Sequence, residues 1–176
     1  MIEWASIFDD FQIEKGASED EIAAFAKNFA APLSAQDIND IRASTPENLS
    51  ADELCNQSIW RLPNKPFPKS FLHFLMWSNG GWCRRGEREF QFLGTADLRT
   101  YTLIYQFPRY LPDAIPFALN GGGVFYVFDM REDPQNGEYP ILGAAAGVLD
   151  YEESKFLAHS FIEVCRGTTD IEEIVC

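Results

Sequence analysis

The sequence predicts an α+β fold, with a mainly antiparallel twisted sheet flanked by helices and a helical N-terminal extension. Apolar residues in the first half recur at helical spacing behind helix-start signals. The second half contains apolar, β-branched runs separated by a glycine-rich turn. The chain has 176 residues, of which 46% are hydrophobic and 14% aromatic, and this is enough for a core without disulfides or metals.

Two helices are predicted at the N-terminus from apolar stripes. The first stripe is spaced i, i+3, i+4 and i+7: Trp4, Ile7, Phe8 and Phe11. The second stripe has the same spacing: Ile22, Phe25, Ala26 and Phe29. Ser18 and Glu21 form the capping-box pattern that starts this second helix, and Pro32 ends it.

Weaker helices are expected at the capping patterns Ser34-x-x-Asp37 and Ser50-x-x-Glu53, which carry few apolar residues: Ile38, Ile41 and Leu54. No Pro/Gly/Ser-rich stretch is long enough to separate two domains. We therefore predict an acidic helical extension over residues 1–56 and an α+β domain over residues 57–176, which together form a single compact unit.

A central helix is predicted behind Pro66 and Pro68, because proline is tolerated where a helix begins. Its turns are apolar nearly all round, which indicates burial on most sides: Phe71, Leu72, Phe74, Leu75, Met76 and Trp77. The helix is expected to stop at Asn79-Gly80-Gly81, since glycine takes the left-handed conformation without steric cost.

Antiparallel strands are predicted over residues 115–119 and 124–130, and Asn120-Gly121-Gly122-Gly123 supplies the turn between them. Shorter strands are expected around Phe90 and Phe92, after the turn signal Arg84-Arg85-Gly86, and near residues 139–142. One further helix is predicted after Thr95, with a stripe that consists of Leu98, Tyr101, Thr102 and Tyr105. Pro108 and Pro112 close it. A last helix is marked by three apolar residues and capped by glycine: Leu157, Phe161, Val164 and Gly167.

Charge narrows the class of partner. The net charge of −13 is divided as −9 over residues 1–55, +5 over residues 56–110 and −9 over residues 111–176. Such an acidic surplus repels nucleic acid and anionic lipid, and it speeds encounter with a basic protein. We therefore expect a basic protein partner, no nucleic acid and no membrane, while the oligomeric state stays unknown.

A cytoplasmic location is expected. Glu3, Asp9 and Asp10 precede the first basic residue, Lys15, which is the wrong charge order for a secretory or mitochondrial signal. The longest uncharged run, residues 114–128, is shorter than the roughly 20 residues of a membrane helix. Free thiols are predicted because the cysteines lack paired spacing: Cys55, Cys83, Cys165 and Cys176.

Five short motifs follow one another between residues 57 and 166: Trp60-Arg61-Leu62-Pro63, Phe71-Leu72-x-Phe74-Leu75 running into Asn79-Gly80-Gly81, Ile115-Pro116-Phe117-Ala118, Gly122-Gly123-x-Phe125-Tyr126 and Asp129-x-Arg131. Their order and spacing resemble the SUKH superfamily, which includes the yeast cell-wall-synthesis regulator and many bacterial immunity proteins. The resemblance implies a domain that binds another protein. Residues 1–56 depart from the family pattern, in which a short helix precedes the Leu-Pro motif.

Acidic residues gather at turns of the β half, where recognition residues often lie. The candidate partner-binding residues are Glu132, Asp133, Glu138, Asp150, Glu152 and Glu153. The alternative interpretation is an ordinary solvated surface.

Other motifs indicate structure rather than chemistry. Residues 120–123 are followed by a strand instead of the helix that a phosphate cradle needs. No two ligands among Cys83, Cys165, His73 and His159 have metal spacing, so neither a metal nor a cofactor is predicted. Three arginines near residue 86 are expected to pair internally with acidic segments: Arg84, Arg85 and Arg88.

Three functions remain open at this stage. The first, from the resemblance, is a non-catalytic immunity protein (an antitoxin) that neutralises a cognate toxin. The second is a regulatory scaffold that binds a cellular protein through the acidic N-terminus. The third and most remote is a small hydrolase that pairs Cys83 or Cys165 with a histidine.

Overall fold

The computed structural model of the protein describes residues 2–45 and 60–176. Their strands form one seven-stranded sheet in which each strand pairs with the next along the chain, always antiparallel. The strands are β1 (Asp10–Ile13), β2 (Gly81–Arg85), β3 (Arg88–Phe92), β4 (Ala114–Leu119), β5 (Val124–Asp129), β6 (Ile141–Ala145) and β7 (Lys155–Ala158). The predicted α+β class with an antiparallel sheet is confirmed.

Seven α-helices flank the sheet in the described residues, together with a 3-10 turn at Trp4–Ser6. The helices are α1 (Glu19–Asn28), α2 (Ala35–Ser44), α3 (Lys69–Trp77), α4 (Leu98–Ile104), α5 (Phe107–Tyr110), α6 (Phe161–Cys165) and α7 (Glu172–Val175). Capping boxes begin α1 at Ser18 and α2 at Ser34, as the sequence predicts. The helix predicted at Ser50, which carries Leu54, lies outside the described residues, and so does Cys55.

Helix α3 covers one face of the sheet. Phe71 and Phe74 are fully buried, and the ring of Phe71 lies 5.2 Å from that of Phe128 and 5.1 Å from that of Phe161. Edge-on aromatic contacts of this kind add stability beyond the area that they bury. Met76 is exposed, so α3 buries one side and is not apolar-packed all round as predicted.

A second, smaller core lies on the other face of the central strands. It contains buried apolar residues from α5, β4, β5 and β6, and from the turns beside them: Phe107, Leu111, Ala114, Phe125, Val127, Leu142 and Ala144. Leu149 and Tyr151 pack against this cluster from the chain between β6 and β7. The residues after β6 therefore cross over the sheet instead of extending away from it.

The predicted first helix is wrong beyond its first turn. The stripe begins in the 3-10 turn, where Trp4 is buried, but Phe11 lies on β1 and pairs with Cys83 of β2. The amide of Asp9 donates to the carbonyl of Arg84 at 2.8 Å. Pairing with a distant strand, which local periodicity does not encode, overrides the helical pattern here.

Three further differences concern the bounds of elements. The turn signal at Gly86 belongs to a hairpin whose first strand, β2, the sequence did not predict. The helix predicted after Thr95 is divided into two helices, α4 and α5. Asp97 is the N-cap of α4, and Gln106 lies between the two helices in a left-handed conformation. Leu157 lies on β7, so the last predicted helix is shortened to α6.

Two predicted turns are confirmed. The β4–β5 hairpin is stabilised by Asn120, whose side-chain oxygen accepts hydrogen bonds from the amides of Gly122 and Val124 at 2.9 and 3.0 Å. Helix α3 ends at Trp77, and Gly80 and Gly81 then have φ values of 104° and 100°. Only glycine adopts such angles without strain, which explains the abrupt change from helix to strand.

Candidate partner-binding surface

Two acidic turns that are distant in sequence lie next to one contact. Glu132 and Asp133 follow β5, while Asp150 to Glu153 precede β7. The guanidinium carbon of Arg131 lies 3.7 Å from the centre of the Tyr151 ring, a cation–π contact. Because Arg131 adjoins the first turn and Tyr151 lies within the second, this contact brings the two turns side by side.

The contact is itself held in place. Asp129 accepts two hydrogen bonds from Arg131, at 2.9 and 2.7 Å, and these bonds raise the pKa of the guanidinium further. The hydroxyl of Tyr151 donates to the carbonyl of Pro112 at 2.6 Å. Burial is the main cause that raises the pKa of Tyr151, so its ring stays neutral and hydrogen-bonded.

Five of the six predicted site residues are exposed: Glu132, Asp133, Asp150, Glu152 and Glu153. We call this group the acidic surface. Asp133 forms an ion pair with Lys65 at 3.3 Å, but its side chain is 94% exposed, so the pair holds it weakly. The Asp150 carboxylate accepts a hydrogen bond of 2.7 Å from the amide of Glu152, and this bond shapes the second turn.

Glu138, the sixth predicted residue, is used inside the fold. One carboxylate oxygen accepts a hydrogen bond from the Ser70 hydroxyl in the first turn of α3. The other accepts the amide of Phe161, the first residue of α6, at 3.1 Å. A carboxylate at two helix N-termini is favoured by both helix dipoles. The carboxylate of Glu138 therefore connects two helices and is not free to meet a partner.

A cleft with aromatic, aliphatic and acidic lining adjoins the acidic surface, and it was not predicted from the sequence. It is lined by residues from α5, its preceding turn and the chain after β6: Tyr105, Tyr110, Ala146, Gly147, Val148, Leu149 and Asp150. Tyr110 and Val148 are exposed. No local pattern marks this cleft, because its lining comes from two separate stretches of the chain, 105–110 and 146–150.

Cys83 and Cys165, the cysteines that the hydrolase hypothesis names, lie in the interior of the fold. Cys83 and Cys165 are buried, and burial raises the pKa of Cys83 to about 12 and also raises that of Cys165. His73 accepts a hydrogen bond from the Trp4 indole N–H at 2.9 Å. The described cysteines are unpaired, as predicted. Buried thiols with raised pKa values do not fit the reactive nucleophile that a hydrolase would need at Cys83 or Cys165.

The three arginines near residue 86 pair internally, but mostly with carbonyl groups. Arg84 forms a loose ion pair with Asp10 at 3.7 Å. Arg85 donates to the carbonyls of Ile7 and Arg166. Arg88 is buried and donates to the carbonyls of Val164 and Thr169. The prediction of acidic partners therefore holds only for Arg84.

In residues 2–45 and 60–176, no cluster of three or more His, Cys, Asp or Glu side chains is arranged to hold a metal ion. None of the helices within these ranges combines the length and the apolar character that crossing a membrane requires.

Comparison with known protein families gives one result. A model described as the SMI1/KNR4 family (SUKH-1) matches residues 57–166. This range covers β2 through β7 and both acidic turns. No curated protein matches the chain.

Proposed function

The chain belongs to the SMI1/KNR4 family (SUKH-1), and we propose that it is a non-catalytic immunity protein that binds and neutralises a basic toxin domain. The family's known members are immunity proteins and related regulators. The observation that supports this role is the joining of two acidic turns through Arg131 and Tyr151. Four exposed acidic residues thereby lie on two turns that stand side by side: Glu132, Asp133, Glu152 and Glu153.

Electrostatics would act first, during encounter. Residues 111–176 carry a net charge of −9, and a surface of one sign steers a partner of the opposite sign. Toxins that cut nucleic acid need a basic cleft to hold phosphate. An acidic surface both attracts such a cleft and occupies it in place of the substrate.

Apolar contact would then slow release. Tyr110 and Val148 are exposed within the cleft that Asp150 also lines. Interfaces commonly combine an apolar centre, which carries most of the affinity, with a charged rim that sets the association rate. The cleft beside the acidic surface fits the first role, and the carboxylates fit the second.

The test is charge reversal on the acidic surface. We expect replacement of Glu132, Asp133, Glu152 and Glu153 by lysine to slow association with the toxin domain encoded beside this gene about tenfold or more at low salt. Raising the salt should remove most of this difference, because surface charges are screened beyond about 8 Å at physiological ionic strength. Stopped-flow or surface-plasmon-resonance association rates measure both effects.

A matched control reverses four exposed acids elsewhere: Asp20, Glu87, Asp97 and Glu173. Net charge changes equally in both variants, so only a local surface makes the first slower than the second. Equal slowing of both variants would mean that net charge, not this surface, steers binding. An unchanged rate in the first variant would remove the acidic surface from the interface.

The regulatory alternative makes a different prediction. If the chain is a scaffold for a cellular protein, no toxin domain should be encoded beside its gene. Expression of the chain should then give no protection in cells that produce a toxin. Protection that is lost in the lysine variant and kept in the control variant would instead support immunity.

A further inference from the structure

The outer edge of β1 has features that the acidic surface does not explain. β1 stands first in the strand order, and among residues 2–45 and 60–176 no strand pairs with its outer side. All four of its side chains are exposed. An edge strand presents unpaired backbone N–H and C=O groups, and proteins usually protect it with charge, proline or a covering segment.

One side of β1 is apolar. Phe11 is 37% exposed, Ile13 is 47% exposed, and Met76 at the end of α3 is 41% exposed. The Phe11 ring lies edge-on to the Trp77 ring at 5.5 Å. We call this group the β1 apolar strip: Phe11, Ile13, Met76 and Trp77. Half of the six large hydrophobic side chains that stand exposed in the described chain lie in it, which is more than chance scatter explains.

The other side of β1 is polar and acidic. Side chains alternate along a strand, so Asp10 and Gln12 point away from the β1 apolar strip. Glu14 continues this alternation and lines a cleft together with Gln12 and Trp82. Residues 1–14 contain four acids and no lysine or arginine. Asp10 has a basic neighbour, Arg84, but only at 3.7 Å.

From these two sides we propose that β1 is a docking edge for an extended segment of another protein, in which apolar and basic side chains alternate. The segment adds a strand to the sheet through backbone hydrogen bonds. Side chains that face each other across paired strands lie about 4.5–5.5 Å apart. Its apolar residues therefore meet Phe11 and Ile13, and its lysines or arginines meet Asp10 and Glu14.

A second copy of this chain does not complement the edge. In the register centred on Gln12, antiparallel pairing of two β1 strands places Asp10 of each copy opposite Glu14 of the other, while Asp9 faces Lys15 just beyond the strand. Like charges that face each other across strands are destabilising. Charge thus selects a basic occupant over self-association. The edge is separated from β5 by three strands, so it does not depend on the acidic surface.

The probe is a short blocked peptide of alternating valine and lysine. In an NMR titration, we expect it to shift and protect the amides of Asp10–Ile13 from hydrogen exchange. Two control peptides separate the contribution of side-chain alternation from that of the backbone hydrogen bonds. One has the same residues in two blocks, and the other is N-methylated at alternate residues. Each should bind about tenfold more weakly or worse, since one loses the alternation and the other loses the backbone bonds.

Protein variants test the same edge from the other side. Ile13→Thr keeps the preference for a strand but removes apolar contact, and Gln12→Lys with Glu14→Lys reverses the charge. Both should weaken the peptide several-fold. The matched control is Phe156→Thr on β7, the opposite edge, where the side chain is 51% exposed and binding should be unchanged. Circular dichroism checks that each variant is folded.

Three results would overturn the proposal. The first is equal binding of the alternating and block peptides, which would show attraction by charge alone. The second is protection of amides elsewhere but not in β1. The third is a concentration-dependent dimer with protected β1 amides, which would make a second copy the occupant. The variant with four lysines on the acidic surface should still bind the peptide. If the charge-reversal test of the acidic surface fails, the proposal for the β1 edge therefore still stands.

Discussion

The N-terminal segment, residues 2–45, and the family-matched part, residues 60–166, contribute to one fold in different ways. The matched part supplies six strands and the helix α3 that covers them. The N-terminal segment supplies one edge strand and a set of aromatic residues that enter the same core, including Trp4, Phe8 and Phe25. Most N-terminal acids stay on the surface, while the aromatic residues of the segment other than Phe11 are buried. An acidic segment can therefore be structurally integral even where it departs from the family pattern.

Trp4 gives the largest expected effect. Its ring lies 5.3 Å from Phe74 of α3 and 5.7 Å from Phe161 of α6, and the side chain is almost completely buried. We expect Trp4→Ala to lower the free energy of unfolding by about 3–5 kcal/mol. Urea unfolding measures this loss. A loss below about 0.5 kcal/mol would mean that the N-terminal segment is an appendage whose removal the matched part tolerates.

Leu75 provides the corresponding test within the matched part. It is fully buried on the inner side of α3, and Leu75→Ala leaves a cavity that we expect to cost about 2–5 kcal/mol. The matched control is Met76→Ala on the exposed side of the same helix, with an expected change within about 0.5 kcal/mol. Similar losses for Leu75→Ala and Trp4→Ala would place both regions in one cooperative core. Two separate unfolding transitions would instead divide them.

Sequence reasoning succeeds where structure is specified locally. The capping boxes at Ser18 and Ser34, and the glycine turn between β4 and β5, depend on residues a few positions apart, and all three are confirmed. It fails where a distant strand decides the outcome, as at β1 and β7. The division at residues 56 and 57 stays a prediction, and the described parts on either side of it share a sheet and a core.

The candidate surface shows the same limit. Charge and turn signals were enough to select the acidic residues, but the contact between Arg131 and Tyr151 spans a separation that no local pattern encodes. The role of Glu138 was equally hidden. Its partners, Ser70 and Phe161, lie far away on both sides in the sequence, so an acid in a turn looked like its exposed neighbours.

Glu138 should therefore differ from the rest of the predicted site. Glu138→Gln turns one acceptor into a donor and removes the charge at two helix starts, so we expect a loss of about 1–3 kcal/mol in unfolding free energy. Glu132→Gln, on the acidic surface, should change stability by less than about 0.5 kcal/mol. Thermal or urea unfolding compares the two. If Glu138→Gln is as stable as wild type, the two hydrogen bonds do not hold α3 and α6 together.

The smallest expected effect concerns the link between the two regions through Asp37 of α2 and Arg99 of α4. The Arg99 guanidinium donates to the Asp37 carboxylate at 3.0 Å and also to the carbonyls of Phe29 and Pro32. Partial burial alone would raise the pKa of Asp37, but the bonds from Arg99 and Ser34 outweigh it and hold the pKa below its usual value.

A lowered pKa in the folded state fixes the direction in which stability changes with pH. The carboxylate stabilises the fold above its unfolded-state pKa of about 3.9, and this contribution disappears as the pH falls through the lower folded value. Because solvent reaches the pair, we expect only about 0.5–1 kcal/mol. Asp37→Asn should therefore be less stable than wild type at pH 7, and the gap should begin to shrink as the pH falls below about 4, as urea midpoints across this range would show. Asp40→Asn is the matched control, since Asp40 accepts a hydrogen bond from Gln36 of its own helix. A gap for Asp37→Asn that does not shrink as the pH falls below about 4, or one that Asp40→Asn reproduces, would show that ionic linkage across α2 and α4 does not connect the two regions.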